Sequence, residues 1–402
     1  MRQPVLRTPT GPFRLRRPKN LRGGRREGPN LTGVRPLLAL DFELGPELEG
    51  AIRQRALLGE AFCVLDRRLS ARRMDETLSL LGATAVLDSN GRHPREGGRA
   101  VDDDIGLVML TSGSVAEPKA AQLTWGALKA SADMTQEALR TSGAPVWFPC
   151  LSASHIGGLA VLLRAILSDA ELLWDDVDRI ENAPARGATH VAVVRTQLAR
   201  HDLSGYDKVL LGGGRPPSHR GENVVTTWGM TETGSGIVYD GYALAGVDVA
   251  QMDGELIVRS PTLFSSYREG APPRVTGPDG LKDWFPTGDA GSVDDGRVSV
   301  RGRLGYVINT GGEKLWPEDL EAVVSTLAGV RDVAVTSVED PEWGQRVVAL
   351  VVGDGSSLDE AISALATERI GPWAKPKEIR YVTAIPRTDN GKIRRNQLTN
   401  LF

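Results

Sequence analysis

The chain has 402 residues and a mass of 43.2 kDa, with 41% hydrophobic and 25% charged residues and a formal net charge of −3. A single hydrophobic core stops growing at about 250–300 residues, so two or more domains are expected, and the composition excludes a wholly disordered chain. No uncharged apolar run approaches the roughly 20 residues of a membrane-spanning helix, and two cysteines, Cys63 and Cys150, cannot frame so long a chain with disulfides.

From the N-terminus, residues 1–36 hold ten basic residues and one acidic residue, which leaves 38 basic and 50 acidic residues, a net −12, in the remainder. This Arg-rich, Pro/Gly-rich leader has no serine and no apolar signal core, so a flexible tail is expected. An acidic body does not read as a nucleic-acid-binding domain. The cysteine usage fits a reducing compartment, hence a cytoplasmic protein with no membrane span.

The globular pattern begins at residue 37. The stretch Leu48–Leu58 reads as an amphipathic helix, Ala61–Leu65 as a buried strand, and Ala71–Leu81 as a helix capped by Ser70 and ended by Gly82. Thr84–Leu87 reads as the next strand and the turn-rich Ser89–Ala100 as a loop, an order that predicts a parallel α/β sheet. Further strands are expected at Ile105–Leu110, Val146–Phe148, His190–Val194, Lys208–Leu211 and Asn223–Thr227, with helices at Trp125–Leu139 and Ile156–Leu167. After Gly241 the alternation at Gly254–Arg259 and Gly296–Arg301 marks a β-rich portion. Helices at Pro317–Leu327 and Ser357–Arg369 and strands at Asp332–Val338 and Arg346–Val352 complete a small α+β domain. The expected division is therefore a leader (1–36), a large domain (37–303) and a small C-terminal domain (304–402).

Six segments carry candidate chemistry. Thr111-Ser112-Gly113-Ser114-Val115-Ala116-Glu117-Pro118-Lys119 follows a strand and offers the hydroxyls, backbone N–H groups and ammonium that a polyphosphate needs, without being a GxxxxGK[ST] loop. Alone it reads equally well as a polar surface loop. Gly212-Gly213-Gly214 would let a flat ligand approach the backbone, and Trp228-Gly229-Met230-Thr231-Glu232-Thr233 puts an aromatic face, hydroxyls and a carboxylate on what reads as one turn. Pro286-Thr287-Gly288-Asp289 reads as a tight turn whose aspartate can accept from ribose hydroxyls, with Arg301-Gly302-Arg303 nearby. Finally, Pro386-Arg387-Thr388-Asp389-Asn390-Gly391-Lys392 projects one lysine near the C-terminus. Each segment alone has an ordinary structural explanation.

In this order and at these separations, the six segments resemble the core motifs of the adenylate-forming superfamily, which includes acyl-CoA ligases, luciferases and peptide-synthetase adenylation domains; the resemblance covers roughly residues 101–398. It implies an α/β fold: a large N-terminal domain with parallel sheets and a β-rich subdomain, and a small, mobile C-terminal α+β domain. It implies that Thr111, Ser112, Gly113, Ser114 and Lys119 hold the β- and γ-phosphates of ATP. Gly213 and Gly214 would line the adenine pocket beside Trp228, with Gly229 and Met230 next to it. Thr231 would contact the α-phosphate, Glu232 would bind Mg²⁺, and Asp289 and Arg303 would take the ribose. Lys392 would stabilise the adenylation transition state. The small domain then rotates about Gly305 to pass the acyl group from AMP to coenzyme A. Val115-Ala116 departs from the usual Thr-Gly, which leaves room for slower adenylation, and Leu304-Gly305-Tyr306 lacks the Asp that many relatives have at the hinge.

Within the superfamily, Val194–Leu198, Leu211–Gly214, Trp228–Thr233 and Val238–Gly241 look like the o-succinylbenzoate–CoA ligases of menaquinone biosynthesis. That resemblance implies His155 at the border of the acyl pocket and an acid with a second carboxylate, for which Arg195 and Ser235, next to Gly234, are candidate partners. Ligases for another aryl or fatty acid, an enzyme loading a carrier protein, and a catalytically silent nucleotide binder stay open as alternatives. A homo-oligomer is compatible with all of them.

Overall fold

Local signals build the first helices. Ser70 accepts a hydrogen bond from the Arg73 backbone N–H, and Gly82, at φ 69°, closes the helix Ala71–Leu81 at the expected residue. The computed structural model describes residues 33–111, 118–168, 170–217, 220–388 and 391–402. Most of the leader, with Ser112, Gly113, Ser114 and Val115-Ala116, therefore lies outside the described residues. The leader's last residues are built in: Val34–Arg35 pairs with Val101–Asp102, and Arg35 donates to the carbonyls of Leu58 and Gly59.

One sheet has seven strands in the order Ser266–Tyr267, Ala120–Thr124, Ile105–Leu110, Ala61–Val64, Leu37–Leu40, Ala85–Asp88 and Gly91–Pro94. Its four central strands run parallel and its edges antiparallel, so the sheet is mixed rather than parallel throughout. The expected loop at Ser89–Ala100 contains the edge strand Gly91–Pro94, whose mostly exposed polar residues carry no apolar alternation to announce it. A second sheet has eleven strands. Five parallel strands (Glu171–Leu172, Val146–Phe148, His190–Val194, Lys208–Gly212 and Val224–Met230) lead into an antiparallel half made by Ser235–Tyr239, Tyr242–Ala243, Arg297–Arg303, Phe285–Asp294, Glu255–Arg259 and Asp248–Met252. The helices Trp125–Ala138 and Ile156–Leu167 pack on each other and join a core that includes Leu40, Leu128, Leu159, Ile237 and Val258.

The short 3₁₀ turn Leu304–Tyr306, which contains Gly305, leads into a separate core. On the strands Val330–Asp340 and Gly344–Gly353, Val333, Val335, Val347, Ala349 and Val351 face the helices Pro317–Val324 and Asp359–Arg369, while Ala334 and Leu350 face Ile385 and Leu398. This alternation is the period of two that a sheet covered on both faces requires. Burying Leu320 or Ile362 contributes about 1.5–3 kcal/mol each, so the small domain has a core of its own.

Candidate active site

The site gathers where the eleven-stranded sheet changes from parallel to antiparallel. The expected turn at Trp228–Thr233 is in fact a strand running through Met230, with a bulge between Trp228 and Gly229, followed by a 3₁₀ turn at Thr231–Thr233. Only glycine fits at 229, because a Cβ there would lie 2.2 Å from the Ser235 carbonyl oxygen. The Thr233 hydroxyl accepts from the Met230 N–H at 2.8 Å and donates to the Ser235 carbonyl at 2.7 Å, which fixes the direction of Glu232. Glu232 accepts from the Phe264 N–H at its carbonyl (2.8 Å) and from the Tyr267 hydroxyl at Oε1 (3.0 Å).

Tyr267 escaped the sequence reading. The Lys119 ammonium lies 5.1 Å from its ring centroid, so one side chain links the lysine at the end of the expected phosphate loop to Glu232. Burial and the Glu232 carboxylate push the Tyr267 pKa up, which keeps its hydroxyl a donor. The ends of that loop are tied together by Thr111 N–H to the Lys119 carbonyl (2.8 Å) and Lys119 N–H to Thr111 Oγ1 (3.3 Å).

Asp289 also differs from expectation: it lies inside the strand Phe285–Asp294, opposite Arg303, not in a tight turn. Gly288, at φ 74°, gives the stretch its turn-like signature. Asp289 is 7% exposed; Arg303 Nε lies 2.9 Å from Oδ1 and the Trp228 indole N–H donates to Oδ2 at 2.8 Å. Burial pushes its pKa up, against the opposing pull of Arg303, Trp228 and Lys392.

Lys392 comes from the small domain. Its turn is braced by Arg387, which donates to the Gly391 carbonyl at 2.7 Å and pairs with Asp332 at 2.7 Å, by the Thr388 N–H donating to the Lys392 carbonyl at 2.7 Å and by the Lys392 N–H donating to Thr388 Oγ1 at 3.1 Å; Asp389 and Asn390 lie outside the described residues. A Cβ on Gly391 would sit 3.7 Å from Thr196 Oγ1, so the turn abuts the large domain. The side chain is solvent-accessible within a crowded cleft. Crowding and Arg303 lower its pKa, while Asp289 and Glu232 raise it, so all four groups share one electrostatic site. The exposed glycines Gly213 and Gly214 precede Arg215, which binds the Glu318 carbonyl and Asp319 Oδ1, both at 3.1 Å; Arg301 holds Asp319 Oδ2 at 3.0 Å.

His155, expected at the border of an acyl pocket, precedes the helix Ile156–Leu167 and is half-buried. Arg195 begins the helix Arg195–Arg200 and is exposed, whereas the cation beside Ser235 is Arg164, which is 2% exposed. Arg164 Nη2 donates to Ser235 Oγ at 3.3 Å and the guanidinium lies 4.7 Å from the Trp147 ring centroid. Its Nε and Nη1 have no hydrogen-bond partner, and no carboxylate among the described residues pairs with it. Burial pushes its pKa down. A lone arginine inside the otherwise apolar run Ile156–Leu167 was the sequence signal for it.

Among the described residues, no three His, Cys, Asp or Glu side chains gather as a metal cage. Glu232, the expected Mg²⁺ ligand, is a single carboxylate, which suits an ion carried mainly on substrate phosphates rather than one caged by the protein. No helix among the described residues is long and apolar enough to cross a membrane.

The AMP-binding enzyme model matches residues 59–268, and the AMP-binding enzyme C-terminal domain model matches residues 319–392. A probable 2-succinylbenzoate–CoA ligase of Mycobacterium tuberculosis is 36% identical over 81% of this chain and 88% of its own length. A 2-succinylbenzoate–CoA ligase of Bacillus cereus is 30% identical over 73% and 69%. Among solved structures, the Bacillus subtilis o-succinylbenzoate CoA synthetase in complex with the acyl-adenylate intermediate superposes with a TM-score of 0.77 at 24% identity, covering 90% of this chain and 88% of that one. ATP-bound MatB from Rhodopseudomonas palustris gives 0.78 at 21%, covering 92% and 89%. With both family regions matched in order and a relative above 30% identity aligned along most of its length, this chain belongs to the AMP-binding enzymes, as an adenylate-forming, AMP-forming acyl-CoA ligase.

Proposed function

We propose that this protein converts 2-succinylbenzoate, ATP and coenzyme A to 2-succinylbenzoyl-CoA, AMP and pyrophosphate, the acyl-activation step of menaquinone biosynthesis. The observation that carries the choice of acid is Arg164. A buried guanidinium with no carboxylate partner among the described residues is costly, and a substrate with a second carboxylate would supply an anion beside Ser235. A fatty acid would leave that charge unpaired. The names of the relatives support the same reading.

A carboxylate is a poor electrophile, so its oxygen first attacks the α-phosphorus of ATP, and the bond to the bridging oxygen of pyrophosphate breaks. Lys392 meets the charge that grows on the phosphoryl oxygens, Thr231 contacts the α-phosphate and Lys119 the leaving pyrophosphate. Bound Mg²⁺, held by Glu232, supplies further neutralisation of the phosphates. Asp289 and Arg303 hold the ribose, and Trp228 packs on adenine between the backbone of Gly213-Gly214 and that of Gly229-Met230. His155 borders the acyl group. Rotation of residues 304–402 about Gly305 then removes Lys392 and admits the coenzyme A thiol, which attacks the acyl carbon and releases AMP.

The test compares 2-succinylbenzoate with 4-oxo-4-phenylbutanoate, which lacks the aromatic carboxylate, reading pyrophosphate and thioester separately. Wild type should prefer the diacid by about 10–100-fold in kcat/KM, and Arg164→Met should erase that preference. Equal rates for both acids in wild type would refute the substrate assignment. Pyrophosphate from no acid would refute the activity.

A further inference from the structure

The strand residue Trp228 does something at this site that a phenylalanine could not. Its indole N–H ends 2.8 Å from Asp289 Oδ2, while Arg303 Nε lies 2.9 Å from Oδ1. Arg303 is itself pinned, because its Nη1 donates to the Thr287 carbonyl at 2.8 Å. The Asp289 main chain is fixed as well: its N–H donates to Thr287 Oγ1 at 3.1 Å, and the preceding Gly288 N–H donates to Glu255 Oε1 at 2.7 Å. On the other side, the bulge at Trp228/Gly229 sets the direction in which the indole leaves the strand.

We propose that Trp228 is a positioning residue that orients the Asp289 carboxylate for the ribose diol of ATP through its indole N–H, in addition to any packing on the base. This rests on the reading of Asp289 as the ribose acceptor. An ionised carboxylate offers about four lone-pair sites, two on each oxygen. Trp228 and Arg303 occupy one site on each oxygen, and one acceptor remains on each. Two acceptors with fixed spacing on a carboxylate that cannot turn match two vicinal hydroxyls. Without the indole donor, Arg303 alone holds one oxygen and the group can pivot about it. Asp289 is 7% exposed, so water does not readily replace the lost donor.

The experiment measures kcat/KM for ATP, 2′-deoxy-ATP and 3′-deoxy-ATP in wild type, Trp228→Phe, Trp228→Tyr and Asp289→Asn. Both aromatic variants keep a ring face for adenine; Trp228→Phe removes the donor outright and Trp228→Tyr moves it to a phenolic O–H at the far end of the ring, out of the indole N–H position, and using two guards against one failing to fold. Wild type should prefer ATP over each deoxynucleotide by about tenfold or more, and the aromatic variants should lose about three- to tenfold of that preference. The acid limb of the kcat/KM profile for ATP should also move to higher pH in Trp228→Phe, because a donor that favours the ionised carboxylate has gone. If wild type shows no preference, the ribose reading of Asp289 fails. If wild type has it, Asp289→Asn loses it, and Trp228→Phe and Trp228→Tyr both keep it, the indole proposal alone is overturned.

Discussion

Asp319, in the first turn of the helix Pro317–Val324, receives Arg215 from the glycine-rich loop at 3.1 Å and Arg301 from the last strand of the large domain at 3.0 Å. Both bonds cross from the large body to the small domain, in the pose that brings Lys392 to Asp289 and Glu232. Asp319→Ala removes both. The two arginines are about half exposed, at 47% and 54%, so each pair is screened by solvent, and because they share one carboxylate their contributions do not add. Together they contribute about 1 kcal/mol, which is a roughly fivefold shift in the population of this pose. The assay separates the half-reactions: pyrophosphate release from acid and ATP, and thioester formation from supplied acyl-AMP and coenzyme A. Pyrophosphate release should fall about fivefold while thioester formation from acyl-AMP holds or rises. Raising NaCl from about 0.05 to 0.5 M should reproduce part of the first effect in wild type and little of it in the variant. Equal loss in both half-reactions would refute the argument that this contact selects one of two poses.

Lys392→Ala should lower pyrophosphate release by about 10²–10³-fold and leave the conversion of supplied acyl-AMP to thioester near the wild-type rate, measured by the same pair of assays. Arg395, 8% exposed, holds Glu321 at 2.7 Å and Glu318 at 3.0 Å. Arg395→Met strands two partly buried carboxylates and should destabilise the small domain by about 3 kcal/mol in urea titrations followed by tryptophan fluorescence. A loss below about 1 kcal/mol would mean that the pair is solvated in solution.

What the sequence revealed depended on the range of the interaction. The Ser70 cap and the Gly82 stop act within one turn, and the helix between them was read to the residue. Trp228–Met230 and Asp289 sit beside glycines that read as turns, yet both lie in strands of local hairpins, paired with Ser235–Tyr239 and Arg297–Arg303; the bulge at Trp228/Gly229 and the positive φ of Gly288 place turn-like residues inside paired strands. The order of the six motifs located Glu232, Asp289 and Lys392, which the fold brings into mutual electrostatic range. Tyr267 was invisible because its role comes from touching Lys119 and Glu232 at once, and nothing in Ser265-Ser266-Tyr267 encodes that. For the acyl pocket the sequence candidates are Arg195 and Ser235; the structure leaves Arg195 exposed and puts Arg164, a charge inside an apolar helix that no motif marks, against Ser235.

The brace around the lysine turn has a kinetic meaning. Arg387 clamps Gly391 on one side and Asp332 on the other, so the described part of the turn is bolted to the small domain's sheet rather than hanging from it. On the proposed mechanism Lys392 would then leave the phosphoryl centre as its whole domain swings, because Arg387 and Gly391 are tied to that domain's sheet. Such swings take microseconds to milliseconds. On the proposed mechanism, withdrawal of the charge and admission of the thiol would then be one motion, so that the acyl-adenylate meets its acceptor as it loses the lysine.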